Sequence, residues 1–167
     1  MKDGKKIAIV PGSFDPITIG HLDIVRRAAE SFDEVIVAVM INSSKNYLFN
    51  IEQRTEIARE AVKGFENVSV VSSEGMLWKL CRDLSADAIV KGYRNQADFD
   101  YEMEMARYNE ERYPDAKTVL LCSDPSFTHI SSTLVRERIL AKADLEGLIP
   151  SSAIKKLCDI IAEDKIK

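Results

Sequence analysis

A histidine placed three residues after a threonine, at the mouth of a Gly/Pro-rich turn, is the group in this chain best suited to chemistry. The stretch reads Pro11-Gly12-Ser13-Phe14-Asp15-Pro16-Ile17-Thr18-Ile19-Gly20-His21. It follows the apolar run Ile7-Ala8-Ile9-Val10 and leads into Leu22-Asp23-Ile24-Val25-Arg26-Arg27-Ala28-Ala29, a helical pattern. Free backbone N–H groups at a helix start, together with the helix dipole, favour an anion such as phosphate. The imidazole adds a donor that can follow charge as it develops. Thr18 and His21 are spaced to share one helix face. A purely structural reading has the turn build itself from Pro11, Gly12 and Pro16 while His21 caps the helix. A turn alone, however, requires no histidine at this point.

Other polar motifs carry comparable chemistry. Lys45 ends the loop Asn42-Ser43-Ser44-Lys45; taken alone it is a solvated surface lysine. Lys91 directly follows Ala88-Ile89-Val90, and a lysine at the end of a buried strand is costly unless it reaches an anion or water. Gly92 frees the backbone to turn and approach a ligand, and Arg94 offers a planar fork suited to phosphate oxygens. The competing reading pairs these charges with Asp98 or Asp100. Asp98-Phe99-Asp100-Tyr101-Glu102 is expected to open a helix with acids in its first turn. Glu102 has the further option of accepting from a ribose hydroxyl or an adenine amine. In Ser126-Phe127-Thr128-His129-Ile130-Ser131-Ser132-Thr133, any of the last three hydroxyls serves as an N-cap. Three in a row at a helix start also form a phosphate cradle. Phe127 offers a face to a base, and His129 on its own reads as structural. Met76, Leu77 and Trp78 read first as core and second as the wall of a pocket for an amide-bearing arm.

The elements that must position these groups alternate along the chain. Strands are expected at Lys6–Val10, Val35–Met40, Val68–Val71, Ala88–Val90 and Thr118–Leu121. Helices are expected at Leu22–Ser31, Glu52–Val62, Met76–Leu84, Phe99–Arg112, Ser132–Ala141 and Ser151–Ala162. This order predicts an α/β fold: a single Rossmann-like, doubly wound domain over residues 1–167, with a five-stranded parallel sheet and helices on both faces. Ligands of such sheets bind beyond the carboxyl ends of the strands. The motifs at 12–15, 42–45, 91–94 and 123–133 follow the first, second, fourth and fifth strands.

Composition narrows the function classes. With 167 residues the chain can bury about two-thirds of its unfolded surface and needs no staple. A net charge of −4 argues against a general nucleic-acid coat or an anionic membrane surface, and requires positive charge to be concentrated locally if a polyanion binds. Cys81, Cys122 and Cys158 are odd in number and far apart, and no Cys-x-x-Cys pair suggests zinc. They read as buried free thiols in a reducing compartment. No signal-peptide pattern or bilayer-length apolar run is present, so the expected location is cytoplasmic.

The 13–21 stretch resembles the (T/S)-F-D-x-x-(H/T)-x-G-H signature of the nucleotidylyltransferase superfamily. Across nearly the whole chain the resemblance is to the phosphopantetheine adenylyltransferase family, which acts in coenzyme A biosynthesis. Ser44-Lys45, Gly92-Tyr93-Arg94, Ala97-Asp98-Phe99-Asp100-Tyr101-Glu102 and Ile130-Ser131-Ser132-Thr133 carry it. The resemblance implies transfer of AMP from ATP to 4′-phosphopantetheine by direct in-line attack, giving dephospho-coenzyme A and pyrophosphate. It implies His21, Lys45 and Lys91 as catalytic residues. It implies ATP contacts from Ser13, Phe14, His21, Gly92, Tyr93, Arg94, Glu102, Phe127, Thr128, His129, Ile130, Ser131, Ser132 and Thr133. The acceptor would meet Ser13, Lys45, Leu77 and Lys91. Mg2+ is expected with ATP, with no protein ligand assigned to it. A homohexamer and feedback by coenzyme A are also implied. The family carries arginine, in R-G-x-R, where this chain has Lys91, so charge is kept and the bidentate fork is lost. The rival expectations are a nucleotidylyltransferase using nicotinate mononucleotide or CTP, and a non-catalytic nucleotide sensor.

Overall fold

Short runs of β-branched and apolar residues, covered on both sides, form the strands of a parallel sheet. The computed structural model describes residues 3–164 and contains five of them. β1 (Ile7–Gly12), β2 (Glu34–Met40), β3 (Val68–Ser73), β4 (Ala88–Tyr93) and β5 (Lys117–Cys122) lie in the order β3-β2-β1-β4-β5, and every neighbouring pair is parallel. Between and after them come α1 (Ile19–Ser31), α2 (Ile51–Val62), α3 (Leu77–Asp83), α4 (Gln96–Arg112), α5 (Ser132–Leu140) and α6 (Ser151–Asp164). A 3-10 turn at Pro125–Phe127 precedes α5.

Strand alternation divides the core in two. Ala8, Val10, Val35, Val37, Val39, Ala88 and Val90 face one way and pack with α1, α2, α5 and α6. Ile9, Ile36, Ala38 and Ile89 face the other way and pack with Cys81 of α3 and with Ala86 and Ala116. The helices start where side-chain caps permit. Thr18, Asn50, Asn95 and Ser131 each accept a backbone N–H at the start of α1, α2, α4 and α5.

The observed boundaries correct several sequence expectations. β1 continues through Pro11 and Gly12, and β4 through Lys91, Gly92 and Tyr93, because β2 and β5 pair with them that far. Gly92 is therefore a strand residue rather than a turn. A Cβ there would meet Ile24 at 3.0 Å, so its role is to let α1 lie close against β4. α4 begins at Gln96, and of the acids only Asp98 is in its first turn. Cys81 is buried as expected, and burial pushes its thiol up to about 12. Cys122 and Cys158 are instead exposed, the first at the end of an edge strand and the second on the outer face of α6.

The topology places a crevice. β1 and β4 are register partners only at Ala8–Ala88 and Ile9–Ile89, whereas β1 and β2 stay paired over six residues. Successive connections turn outward in opposite directions from β1 and β4, which makes their carboxyl ends the switch point of the sheet. The core on the α2–α6 side supports this geometry. Leu157 of α6 is fully buried there, and Leu157→Ala should cost about 2–5 kcal/mol in urea unfolding with an unchanged m-value.

Candidate active site

The crevice is a cleft of about 590 Å3, within the range of small-molecule sites. One wall is the β1–α1 turn. Phe14 adopts a positive φ of 48°, which folds its ring back under Gly12; a Cβ at position 12 would meet that ring at 2.9 Å. The Phe14 ring then stands edge-on to the His21 ring, with centroids 5.1 Å apart. Phe14 is nearly fully buried, so its side chain supports the imidazole from below.

His21 is fixed through one nitrogen. The Thr18 backbone N–H donates to Nδ1 at 3.0 Å, and the Thr18 hydroxyl lies 3.2 Å from the same atom. In return Thr18 Oγ1 accepts the His21 backbone N–H, which completes a reciprocal capping box. An Nδ1 that accepts is unprotonated, so the proton of the neutral ring sits on Nε2. Burial, and then the charges of Lys91 and Arg94, hold the imidazole down to about 4. Near neutral pH it is therefore an uncharged N–H donor, and the cap leaves the donating nitrogen free.

The cations converge from three sides. Lys45 Nζ lies 3.5 Å from Ser13 Oγ, which joins the loop after β2 to the first turn. Lys91 Nζ lies 3.3 Å from the Glu102 carboxylate on α4. The side chain and backbone N–H of Arg94 both reach Asp98 at 3.1 Å, the pairing foreseen as the alternative to ligand binding, and Arg94 still lines the cleft. Arg136 of α5 donates to the Asp15 carbonyl at 2.9 Å and lies 3.7 Å from the Asp15 carboxylate. The lining thus holds Lys45, Lys91, Arg94 and Arg136 against Asp15 and Glu102, a local excess of positive charge in an acidic chain.

Most expected site residues meet here: Ser13, Phe14, His21, Lys45, Lys91, Gly92, Arg94, Glu102, Phe127, Ile130, Ser131, Ser132 and Thr133 all line the cleft. The three hydroxyls before α5 have structural duties as well. Ser131 caps α5 at the Leu134 N–H, Ser132 donates to the Pro16 carbonyl at 2.8 Å, and Thr133 accepts from Arg136. Tyr93, Thr128 and His129 do not line the cleft. The Tyr93 ring packs edge-on against Phe99 of α4 at 5.1 Å. The Thr128 hydroxyl donates to the Pro125 carbonyl, closing the 3-10 turn, and His129 is exposed. Leu77 lines a separate recess of about 70 Å3, which shares Lys91 and Glu102 with the cleft and is continued by Tyr101, Met105 and Asn109. Thr118 Oγ1, at the same recess, is buried without a hydrogen-bond partner.

Sequence reasoning missed Asp15 and Arg136. Asp15 is 2% exposed and accepts the N–H groups of Leu48 and Phe49 at 2.9 and 3.0 Å, tying the phosphate turn to the far end of the Lys45 loop. Nothing local in the sequence announces a partner more than thirty residues away. Arg136 had a faint signal in the Thr133-x-x-Arg136 spacing, which places both on one helix face.

Comparison with known proteins identifies the family. The cytidylyltransferase-like family matches residues 9–138. A protein named phosphopantetheine adenylyltransferase from Limosilactobacillus reuteri is 42% identical over 154 residues, covering 90% of this chain and 89% of the relative. The protein of the same name from Symbiobacterium thermophilum is 43% identical over 156 residues, covering 93% and 96%. That from Lactobacillus acidophilus is 43% identical over 152 residues, covering 90% and 94%. On the strength of these relatives and of the family match over most of its length, the chain belongs to the phosphopantetheine adenylyltransferase family of cytidylyltransferase-like enzymes.

Proposed function

We propose that the protein transfers AMP from ATP to 4′-phosphopantetheine, forming dephospho-coenzyme A and releasing pyrophosphate. The observation that carries this reading is the convergence of His21, Lys45, Lys91 and Arg94 on one cleft at the switch point. An acceptor phosphate is largely ionised near neutral pH and attacks the α-phosphorus in line. The reaction needs no protein nucleophile, and positioning and charge neutralisation do the catalysis.

The roles follow from placement. His21 Nε2–H donates to an α-phosphate oxygen as charge accumulates there. Lys45, Lys91 and Ser13 hold the acceptor phosphate, and Arg94 with Ser131–Thr133 holds the β- and γ-phosphates. Glu102 keeps Lys91 directed at the boundary between cleft and recess. The recess lined by Leu77, Tyr101 and Met105 takes part of the acceptor's arm, and the unpartnered Thr118 hydroxyl suits an amide there. At about 4 Å and an effective dielectric of 20, two unit charges interact by roughly 4 kcal/mol, which makes each lysine consequential.

Mg2+ would accompany ATP. Among the described residues no three His, Cys, Asp or Glu side chains cluster as ligands, and the two cleft carboxylates are engaged by backbone amides and by Lys91. When bound with ATP the ion would neutralise phosphate charge, as magnesium does when held mainly by substrate phosphates and water, and no step runs through it. Following the family resemblance we also propose a cytoplasmic homohexamer subject to feedback by coenzyme A. Val119 on the edge strand β5 is exposed, as an assembly surface requires. Among the described residues no helix is long and apolar enough to cross a membrane.

Three outcomes test this reading. Labelled ATP mixed with phosphopantetheine should yield dephospho-coenzyme A and pyrophosphate, while CTP, or nicotinate mononucleotide as acceptor, should not; the reverse preference refutes it. Lys91→Ala should lower kcat about a hundred- to a thousandfold with little change in melting temperature, because the side chain is partly exposed. His21→Gln should separate cap from catalysis, since glutamine at N3 completes the same capping box. That variant should keep wild-type stability at pH 7 and lose about a hundredfold or more in kcat.

The pH dependence of the same pair checks the charge state. The folded imidazole is held to about 4 against an ordinary 6.5, so between these values the unfolded chain binds more protons. The stability contributed by the neutral ring is complete above about 6.5 and lost as pH falls toward about 4. Denaturant titrations should show that loss in the wild type and a flatter profile in His21→Gln.

A further inference from the structure

Among the described residues Arg54 is the largest fully buried side chain, at 1% exposure, and the chemistry above does not use it. It lies in the first turns of α2, just after the Lys45 loop. Nε donates to the Phe49 carbonyl at 3.2 Å, and Nη1 donates to the carbonyls of Ser13 at 2.7 Å and Met40 at 3.0 Å. The guanidinium also lies 3.9 Å over the Tyr47 ring. Burial pulls it below its ordinary range, while Tyr47, Asp15 and Glu52 act the other way. Burying a cation is costly, so these contacts must hold it well.

The three carbonyls belong to the segments that carry the acceptor-side groups. Ser13 supplies a hydroxyl to the cleft, Met40 ends β2 where the loop departs, and Phe49 closes the loop. Tyr47 extends the contact to the loop crest: its hydroxyl accepts from the Asn42 N–H at 2.6 Å, and Asn42 Oδ1 accepts from the Ser44 N–H and hydroxyl. Lys45 follows Ser44 and reaches Ser13 Oγ.

Resting on the adenylyl transfer proposed above, we infer that Arg54 is a positioning residue which clamps both ends of the 41–49 loop to the Ser13 turn and so sets Lys45 at the acceptor phosphate. A lysine in its place has one flexible ammonium and cannot span three carbonyls while stacking on a ring. Arg94 and Ser131–Thr133, which hold the β- and γ-phosphates on the proposed reading, follow β4 and lead into α5, and none of them bonds to Arg54.

A double-mutant cycle between Arg54→Lys and Lys45→Ala tests this, with kcat and both KM values measured. Arg54→Lys alone should lower kcat/KM for phosphopantetheine about ten- to a hundredfold, the usual effect of a small misplacement, and leave the KM for ATP unchanged. In the Lys45→Ala background the same change should cost less than about twofold, because the group it positions is gone. Multiplying costs, or equal losses for ATP and acceptor, would reduce Arg54 to a fold staple and overturn the inference. Tyr47→Leu, which removes the stacked ring and the Asn42 bond but leaves the three carbonyl bonds of Arg54, should reproduce the acceptor-specific loss, and full activity in that variant would also overturn it. Hydrogen exchange gives a readout independent of turnover: in Arg54→Lys the amides of residues 42–49 should exchange faster while those of α2 keep their protection. Unchanged loop exchange overturns the clamp. A wild-type protein that adenylylates nothing, yet shows the loop effect, overturns the reaction and leaves the clamp standing.

Discussion

An acidic chain can hold a triphosphate only where its backbone opens a pocket that local cations then line, and the early parting of β1 from β4 provides it. The two strands are partners at two positions and then diverge, each still held on its outer side by a neighbour. Their carboxyl ends therefore carry two sets of side chains, Gly12–His21 and Lys91–Arg94, to facing sides of one space. Elsewhere the fold mainly serves this geometry. Gly92 lets α1 approach β4, and Phe14 folds beneath Gly12 to support the imidazole.

The loops around the pocket are bonded to one another before any ligand arrives. The buried Asp15 carboxylate accepts two backbone N–H groups from the end of the Lys45 loop, and Arg136 and Ser132 tie α5 to the same turn. Hydrogen bonds to a charged group contribute about 1.5–3 kcal/mol each, enough to offset burial of the carboxylate. Donors fixed in this way need little reorganisation as charge shifts during the adenylyl transfer proposed above.

Local patterns in the sequence revealed the elements and most of the cleft. All five strands and six helices lie where apolar runs and helical spacing place them, because a parallel sheet covered on both faces leaves continuous apolar strands. The strand ends were less legible. Pairing with β2 and β5 carries β1 and β4 two or three residues beyond their apolar runs, and no local pattern encodes a partner's length. Long-range bonds were hidden for the same reason: Asp15 meets Leu48, and Arg54 meets Ser13, through the fold alone. Tyr93, Thr128 and His129 lie outside the cleft lining. They adjoin true cleft residues in sequence, but strand alternation and a tight 3-10 turn direct them elsewhere. The exposed Cys122 and Cys158 show that apolar neighbours along the chain do not establish burial.

His21 has two separate obligations on one ring. Nδ1 closes the start of α1, which leaves Nε2 as the donor on a ring that lines the cleft. On the adenylyl-transfer reading proposed above, a replacement here must meet two separate demands, one for folding and one for turnover. Glutamine, with Thr18 retained, meets the first alone, so architecture and reaction can part company at this single ring.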